Sequence, residues 1–429
     1  MSKLQRIIGN VNVNRELILL LVIGGLYSLG IALSNTFVNV YLWRQSGRFI
    51  DLGIYNLSVV LLQPAAFILA GRIAKKVDRV VVLRLGVMLL AVFFFTVLFI
   101  GDRASGFLVL LGGILGVGYG FYWLAFNVLT FEITEPDTRD FFNGFLGILG
   151  SSAGMVGPIG AGFVISHFSS HTGYRLIFTI SLLLFMGAVV ISFFLKRRPA
   201  NGSYILLDVI NQRKSNTNWK LVTNAHFFQG IREGTFVFII GVFVFITTGS
   251  EFALGTYSLL NSAVAFVSYY AATRIITKNM RKPAILLGGL ILYGAIFLLL
   301  FDLSYPKLLL YAVLIAIAYP MLLVPYLSIT YDVIGKSWNA AKARIEYIVV
   351  REIFVNLGRI VSVTAFIAAV TLFDEKKSIP VLLALIGGGH TVIYFFIRRI
   401  KLDETNETMQ EDGQKLIAES NIVDGENGN

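Results

Sequence analysis

Apolar runs long enough to cross a lipid bilayer recur along this chain from near Leu17 to near residue 397. The chain has 429 residues, of which 56% are hydrophobic and only 14% are charged, and its mean hydropathy is +0.75. A soluble protein of this size could not bury so much apolar surface, so the sequence predicts a polytopic membrane protein. The runs are continuous rather than alternating, which predicts α-helices and no membrane β-barrel.

The runs predict an all-α fold with twelve transmembrane helices, each near the ~20 residues that a bilayer requires. Their approximate positions are 17–42, 52–70, 81–100, 107–131, 143–167, 175–195, 230–249, 252–273, 284–302, 307–331, 350–373 and 379–397. The gaps between them are short, except for one polar stretch that separates two sets of six. We therefore predict two pseudo-symmetric six-helix bundles, a cytoplasmic linker and an acidic, disordered tail. These domains span 1–195, 230–400, 196–229 and 401–429, respectively.

The distribution of Lys and Arg predicts the orientation. With the N-terminus inside, the outer segments hold only seven of the 36 basic residues, and the inner segments hold the remainder. This asymmetry places both termini in the cytoplasm of a multi-pass plasma-membrane protein. The net charge of +11 is then explained by basic cytoplasmic loops, so we expect no nucleic-acid partner. The seven outer residues are Arg44, Arg48, Arg103, Arg175, Lys307, Lys376 and Lys377.

A basic connector between apolar runs occurs twice. The stretch AGRIAKKVDRVVVLRLG at 70–86 returns as ATRIITKNMRKPAILLG at 272–288, with seven identities in 17 positions. The first and seventh spans also open with the same dipeptide, at Arg15-Glu16 and Arg232-Glu233. These matches pair each span with the span six places later, which predicts a duplicated chain. Two parallel six-span halves are a transporter architecture, in which the substrate site lies between the halves near the midplane.

The first connector resembles a signature loop with the pattern Gly-x-x-x-Asp-Arg-x-Gly-Arg-Arg. Gly71 matches the first glycine, Lys75 stands where the aspartate is expected, and Asp78-Arg79 follows three residues late. The loop is that of the major facilitator superfamily, which the chain resembles over nearly all of residues 1–400. The family aspartate takes part in an interhelical charge relay, a role that is either absent here or moved to Asp78.

The fifth span contains GSSAGMVGPIGAG at 150–162, which is similar to the glycine–proline motif of the same family. In the family this motif is typical of exporters that work as antiporters. The entry to the sixth span, around Tyr174, also resembles the family, whereas the arginine-glutamine motif of the fourth span is missing. Small residues at helical spacing let helices approach closely in lipid, and Pro158 allows a kink. The face is therefore either a plain packing surface or a contact at which the halves rock.

From the connectors and the fifth span we predict roles in conformational gating. The residues concerned are Gly71, Asp78, Arg79, Gly154, Gly157, Pro158, Arg274 and Arg281.

Polar and aromatic side chains form stripes on several spans and predict a substrate cavity. On the fourth span, Tyr119, Trp123 and Asn127 share one helix face. Amide side chains that face lipid are costly, so a cavity explains the stripe better than packing, which remains the alternative. The predicted cavity residues are Asn35, Asn39, Gln63, Tyr119, Trp123, Asn127, Tyr319, Tyr326, Asn356 and Arg359.

The eleventh span carries ionisable groups on one face, with Glu352 and Arg359 two turns apart. Such groups within a span predict function, although a structural ion pair is the alternative. Arg359 needs a counter-charge, either Glu352 or an anionic group of the substrate. Because desolvation favours the protonated form of a carboxylate, we expect Glu352, or else Glu132, to carry a coupled proton. We expect Glu251 to be an ordinary surface residue.

The residue inventory excludes several classes of function. The chain has no cysteine, which rules out disulfides, iron–sulfur clusters and thiol nucleophiles. Its four histidines have no partner at metal-ligand spacing, so we expect no metal and no cofactor; His390 is expected to be a satisfied packing residue. The sequence contains no Walker motif, which argues against an ATP-driven pump.

The sequence therefore predicts a monomeric secondary active transporter rather than an enzyme. It would export a small organic solute by alternating access, coupled to protons, with the lipid bilayer as its surroundings. Few charged residues lie at mid-membrane and aromatics are many, which favours a neutral, amphipathic or modestly cationic solute. The alternative is a transporter-like scaffold or sensor that no longer transports, suggested by the altered connector and the missing fourth-span arginine.

Overall fold

The computed structural model of the chain describes residues 14–133, 136–168, 170–200, 202–300 and 302–401. Within these ranges the chain forms fifteen α-helices and no β-strand, which agrees with the predicted all-α fold. From residue 402 onward, the predicted acidic tail lies outside the described residues.

The helices follow one another through short connections. They are α1 (Arg15–Ser46), α2 (Phe49–Lys76), α3 (Arg79–Ile100), α4 (Leu108–Ile133), α5 (Pro136–His167), α6 (Ser170–Ser192), α7 (Leu206–Ser215), α8 (Thr217–Thr248), α9 (Glu251–Ile275), α10 (Arg281–Ala295), α11 (Phe297–Leu300), α12 (Tyr305–Gly335), α13 (Arg344–Leu372), α14 (Glu375–Gly387) and α15 (Gly389–Ile397).

These helices supply the predicted spans. Eleven segments of the described chain are long and apolar enough to cross a membrane, with α10–α11 and α14–α15 each counting as one. The eighth predicted span is α9, a 25-residue helix in the expected place that is not among these eleven segments. Its sequence is more polar than that of the other spans because it includes Tyr257, Ser258 and Asn261. Six spans precede the short helix α7 and six follow it, so the prediction of two six-helix bundles is confirmed.

The duplication is visible in how α1 and α8 begin and end. Each has 32 residues, and each starts after an asparagine whose side chain accepts a hydrogen bond from the first turn, Asn14 and Asn216. Each ends at a glycine with φ of 64°, Gly47 and Gly249, a left-handed conformation that favours glycine. These caps are 202 residues apart, the same offset as the two connectors.

The caps correct one match made from sequence. Arg232-Glu233 does not correspond to Arg15-Glu16, because an offset of 202 places Arg232 opposite Gly30, in the middle of α1. The seventh span was predicted to begin at residue 230, but α8 begins at Thr217. Its first turns are amphipathic, with Trp219, Val222 and Ala225 buried at helical spacing, and this polar–apolar pattern hid them in the predicted linker. Arg232 and Glu233 therefore lie four turns inside a helix.

The bundle has two chemically distinct ends. We call the end that carries Lys75, Lys196 and Arg281 the basic end, and the end that carries Arg44 and Glu251 the opposite end. The two six-helix halves contact each other mainly through α2 against α13 and α5 against α9. The α2–α13 contact extends from one end to the other, because Gly53 faces Ile367 and Gly71 faces Val349.

The α5–α9 contact is tight at the opposite end. A Cβ atom added at Gly162 would meet the Glu251 backbone at 2.5 Å, and one added at Gly154 would meet Ser262 Oγ at 2.9 Å. Two turns further toward the basic end, a Cβ at Gly147 would meet no atom within 4 Å. A cavity lies between the halves, and its lining extends from Leu254 near the opposite end to Tyr331 and Arg351 toward the basic end.

Candidate functional site

The candidate site is a cavity of about 830 Å³ between the two halves. The first half contributes side chains from α1, α2, α4 and α5, and the second half contributes side chains from α8, α9, α12 and α13. Its charged lining residues all come from the second half: Arg232, Glu233, Arg351, Glu352 and Arg359. The site is therefore asymmetric, with a polar and aromatic wall facing a charged wall.

The charged wall is built where α8 and α13 approach each other through glycines. A Cβ atom added at Gly234 would lie 2.7 Å from Arg359 O and 2.8 Å from Ser362 Cβ. Gly230 and Gly358 likewise face the backbone of the other helix. Small residues at such positions let helices pack backbone to backbone in a membrane. The close approach brings side chains of α8 within hydrogen-bond distance of α13.

Glu233 is the centre of the polar network on this wall. Arg359 Nη2 donates to Glu233 Oε2 at 2.6 Å, so the two residues form an ion pair between α8 and α13. Gln229 Nε2 and Tyr319 Oη donate to the other carboxylate oxygen at 2.9 and 3.1 Å. Glu233 is only 7% exposed, and a charge this buried requires such partners. Three donors from three helices therefore hold one carboxylate at the cavity surface.

The network continues toward the basic end through uncharged groups. His226 Nδ1 lies 2.8 Å from Gln229 Oε1, and its Nε2 lies 3.3 Å from the hydroxyl of Thr330. The His226 ring also packs against the Tyr326 ring, with centroids 4.7 Å apart. A chain of hydrogen bonds thus runs from Glu233 through Gln229 to the buried ring of His226.

A second ion pair lies nearer the basic end of the cavity. Arg351 Nη2 donates to Glu352 Oε1 at 2.6 Å, and Arg351 Nη1 donates to Tyr331 Oη at 3.1 Å. Both charged residues line the cavity. The counter-charge of Arg359 is therefore Glu233, not Glu352 as one alternative had it, because Glu352 is paired with its own neighbour in sequence.

Six of the ten predicted cavity residues line the cavity. They are Asn35, Gln63, Trp123, Asn127, Tyr319 and Arg359. In the first half, Trp123 is 37% exposed although it lies mid-helix, and Tyr119 supports the wall from behind by donating to Asn35 Oδ1 at 3.2 Å.

Three other predicted cavity residues are buried away from it. Asn39 accepts a hydrogen bond from Asn56 Nδ2 at 2.8 Å, which joins α1 to α2. Tyr326 packs against His226, and Asn356 donates to the backbone of Glu352 at 2.9 Å. The structure therefore places these side chains in helix packing next to the cavity.

The two predicted proton carriers lie in different places. Glu352 lines the cavity, as described above. Glu132 lies near the end of α4 and pairs with Arg79 Nε at 2.8 Å, a contact within the first half. Among the described carboxylates, Glu233 is more central than either, and the sequence analysis did not select it.

The predicted glycine–proline face of α5 contacts both neighbouring helices. A Cβ added at Gly157 would meet Ala32 Cβ of α1 at 2.8 Å. A Cβ added at Gly255 of α9 would meet the Pro158 carbonyl oxygen at 2.6 Å. Gly154 and Pro158 also line the cavity. The face is thus a packing surface against α1 and an inter-half contact against α9.

The first connector holds the halves together at the basic end. Lys75 Nζ lies 3.2 Å from both carboxylate oxygens of Glu346, which is fully buried at the start of α13. Gly71 faces Val349 and the Tyr204 side chain at the same contact. Lys75 stands at the position of the aspartate in the resembled loop. At this position the chain therefore has a positive charge instead of a negative one, and this charge forms an ion pair between the halves.

The chain between the bundles is tied to this contact. Ile205 N donates to Glu346 Oε1 at 3.2 Å, and Gly202 N donates to Lys75 O at 3.0 Å. Burial and the nearby Glu346 carboxylate raise the pKa of Tyr204, so its hydroxyl stays protonated. We call the contact of Lys75, Glu346 and this segment the basic-end latch.

The other predicted gating residues stay within one half or on its surface. Asp78 caps α3 through Val80 N at 2.7 Å and accepts from Arg198 N at 3.0 Å. Arg281 pairs with Asp332 at 2.8 Å. Arg274 is exposed, with its guanidinium 5.6 Å from the centre of the Tyr270 ring.

Two expectations about single residues were wrong. Glu251 is buried at the opposite end, where it pairs with Arg44 of the first half and accepts from Tyr174 at 3.2 Å. It therefore helps to close that end. His390 is buried as expected, but neither of its ring nitrogens has a hydrogen-bond partner among the described residues. The missing partners could not be foreseen because they depend on the packing around α15.

Three residues of the site were not predicted from the sequence: Gln229, Arg232 and Glu233. The signal was present, since an Arg-Glu pair directly before an apolar run is unusual in a membrane helix. The amphipathic first turns of α8 resemble a linker in sequence, so Arg232 and Glu233 were expected at the start of the helix instead of inside it.

Comparisons with known proteins agree with this architecture. The sequence profile described as Major Facilitator Superfamily matches residues 19–363. The chain is 64% identical to "Uncharacterized protein YqgE" of Bacillus subtilis (strain 168) over 429 residues, which cover 99% of this chain and 100% of that protein.

Solved transporter structures share the fold. The human organic anion transporter MFSD10 (TETRAN) is similar with a TM-score of 0.65 and 15% identity, over 89% of this chain and 99% of the other. A point mutant of the nucleoside transporter NupG is similar with a TM-score of 0.67 and 17% identity, over 90% and 100% of the two chains.

Proposed function

The chain belongs to the major facilitator superfamily, and from that premise we propose that it is a proton-coupled secondary active transporter that exports a small organic solute. A transporter rather than an enzyme is what the family and its structural neighbours indicate. The observation that carries the coupling is the Glu233–Arg359 ion pair at the cavity surface. A proton on Glu233 would cancel one charge of the pair and release the Arg359 side chain toward the cavity.

Three features of Glu233 support this role. It is nearly buried, it reaches the cavity, and its hydrogen-bond partners come from α8, α12 and α13. Protonation would therefore change contacts between helices and not only within one. Glu352 is the second candidate, because it also lines the cavity and is paired with an arginine.

The arrangement of the halves supports alternating access. If the basic end faces the cytoplasm of the plasma membrane, as the distribution of Lys and Arg favours, the cavity faces inward. The Arg44–Glu251 pair and the tight α5–α9 contact would then close the outer side. An exporter must load its solute in this inward-facing form. The resemblance of the α5 motif at 150–162 to that of antiporters supports the same direction.

Alternating access requires the contacts between the halves to rearrange at both ends. In this structure the basic-end latch and the Arg44–Glu251 pair are both formed, so the latch alone does not close the inner side. Closing the inner side would bring the basic-end parts of α5 and α9 together and break the Arg44–Glu251 pair. Both steps use contacts between halves, and a monomer is sufficient for them.

Counterflow in proteoliposomes tests the proposal. Purified protein is reconstituted, and exchange of labelled benzoate, benzamide and benzylamine is measured with and without a pH gradient. We expect exchange of at least one solute, accumulation driven by the gradient, and impaired exchange in Trp123→Ala and Asn127→Ala. A transporter-like scaffold would show neither exchange nor accumulation with any of the three.

A further inference from the structure

The charges that line the cavity do not balance. Of its three arginines and two glutamates, Arg359 pairs with Glu233 and Arg351 pairs with Glu352. Arg232 is left, and among the described residues no carboxylate lies within 4 Å of its guanidinium. The cavity therefore holds one positive charge without a counter-charge.

Arg232 is almost fully desolvated. It is 8% exposed, its Nη2 donates to Tyr311 Oη at 3.1 Å, and its guanidinium lies 4.3 Å from the centre of the Phe236 ring. Its Nε has no hydrogen-bond partner among the described residues. A buried guanidinium that meets no carboxylate in the described part of the chain is costly, and such groups in a membrane mark ligand or ion pathways.

A second unpartnered donor lies nearby. Tyr257 of α9 lines the same cavity, is 7% exposed, and interacts electrostatically with both Arg232 and Tyr311. Its hydroxyl has no hydrogen-bond partner among the described residues. A guanidinium N–H and a phenolic O–H that both lack acceptors are suited to one anionic group, since charge-assisted hydrogen bonds to carboxylates are strong.

The walls around these donors are apolar. The side chains of Phe236, Ile240, Leu254 and Ile315 line the cavity on the same helices, α8, α9 and α12. They can accept an aromatic or aliphatic body but offer it no hydrogen bonds. A solute with one charged group and an apolar body therefore matches this part of the cavity.

We propose that Arg232 and Tyr257 bind the anionic group of the transported solute, so that the substrate is a small organic monoanion with an apolar body. The proposal rests on the transport function proposed above and names its substrate class. It replaces the expectation of a neutral or cationic solute, because that expectation treated Arg232 as a residue at the helix end.

Ligand binding is measured first, as the rise in apparent melting temperature of the purified protein in detergent. The probes are benzoate and hexanoate, their amides benzamide and hexanamide, and the amines benzylamine and hexylamine. We expect the acids alone to stabilise the protein. Stabilisation by the amides or amines to the same extent, or by neither acid, would overturn the proposal.

Variants then locate the binding site. Arg232→Gln should weaken acid binding by about 10- to 100-fold, Tyr257→Phe should weaken it less, and Arg232→Lys should retain part of it. The matched control is Arg84→Gln, which removes a charge at the basic end without touching the cavity. Acid binding by Arg232→Gln at wild-type affinity would contradict the assignment.

A variant without ligand gives an independent result. Arg232→Met keeps the apolar stem but removes the uncompensated charge, so we expect the empty protein to melt at a higher temperature than the wild type. A lower melting temperature would overturn the proposal, because Arg232 would then be a structural residue. The binding assay in detergent needs no proton gradient, so the two proposals can fail separately. Acid binding that depends on Arg232, without accumulation in proteoliposomes, would support this site and contradict the proposed coupling. Accumulation without Arg232-dependent binding would support the coupling and contradict this site.

Discussion

Arg359 of α13 donates to Glu233 of α8 at 2.6 Å, and this ion pair lies within the second bundle at the surface of the cavity. The contact exists because Gly230, Gly234 and Gly358 let the two helices pack backbone to backbone. A larger residue at these positions would separate the helices and draw the two charges apart. The packing of two helices thus determines the electrostatics of the site.

Gly234→Ala tests this packing. The added methyl group would lie 2.7 Å from Arg359 O, so we expect a loss of about 1–3 kcal/mol in stability, seen as a lower apparent melting temperature. Gly294→Ala is the matched control, since a Cβ there would meet no heavy atom within 4 Å. Equal melting temperatures for the two variants would show that α8 and α13 are not closely packed.

The basic-end latch can be tested by cysteine labelling, because the chain has no cysteine of its own. Lys75→Met leaves the buried Glu346 carboxylate without its ion-pair partner, which should open the α2–α13 contact. A probe at Val349→Cys, where the wild-type side chain is fully buried, should then react faster with a maleimide. Lys76→Met, a neighbouring exposed lysine, is the control and should leave the rate unchanged. An unchanged rate in Lys75→Met would remove the latch from the gating scheme.

The glycine–proline face of α5 should tolerate bulk only where it faces open space. Gly157→Leu would collide with Ala32, and Gly154→Leu would collide with Ser262 of the other half, so we expect both to lose transport. A Cβ atom added at Gly160 would meet no atom within 4 Å, so Gly160→Leu should transport normally. Membrane insertion of all three is checked by the yield of folded protein. Normal transport by both Gly154→Leu and Gly157→Leu would show that close packing of this face is not needed for transport.

Closure of the opposite end should depend on Glu251. Its carboxylate is buried against Arg44 and Tyr174, so Glu251→Gln removes the charge that joins α1 of the first half to α9 of the second. We expect faster labelling of a cysteine placed at Leu42, which is buried in the wild type beside Arg44 and does not line the cavity. Asp302→Asn, which alters an exposed pair with Lys307 at the same end, should have no effect.

The fold was predictable because hydrophobic length is a strong signal. Runs of about 20 apolar residues define spans wherever the flanking residues are polar. The signal failed at α8, whose first turns are amphipathic because they extend beyond the apolar run and pack on α7 and α13 through Trp219. That boundary error concealed the depth of Arg232 and Glu233.

The site was predictable only in part. Amides and aromatics in mid-span, such as Asn35 and Trp123, signalled the cavity because lipid excludes amides. The pairing of charges was not predictable, since Lys75 meets Glu346 and Arg359 meets Glu233 across more than 100 residues of sequence. Such pairs depend on how the helices pack, and no local pattern encodes them.

Substitution of Glu233 by glutamine shows whether this residue carries the coupled proton. Glu233→Gln can still accept from Gln229 and Tyr319, but it cannot bind and release a proton. In proteoliposomes containing the acid that stabilises the protein most, we predict that this variant retains counterflow and loses accumulation driven by the pH gradient. Glu132→Gln, outside the cavity, is the control and should retain both. Accumulation by Glu233→Gln at the wild-type level would contradict the account.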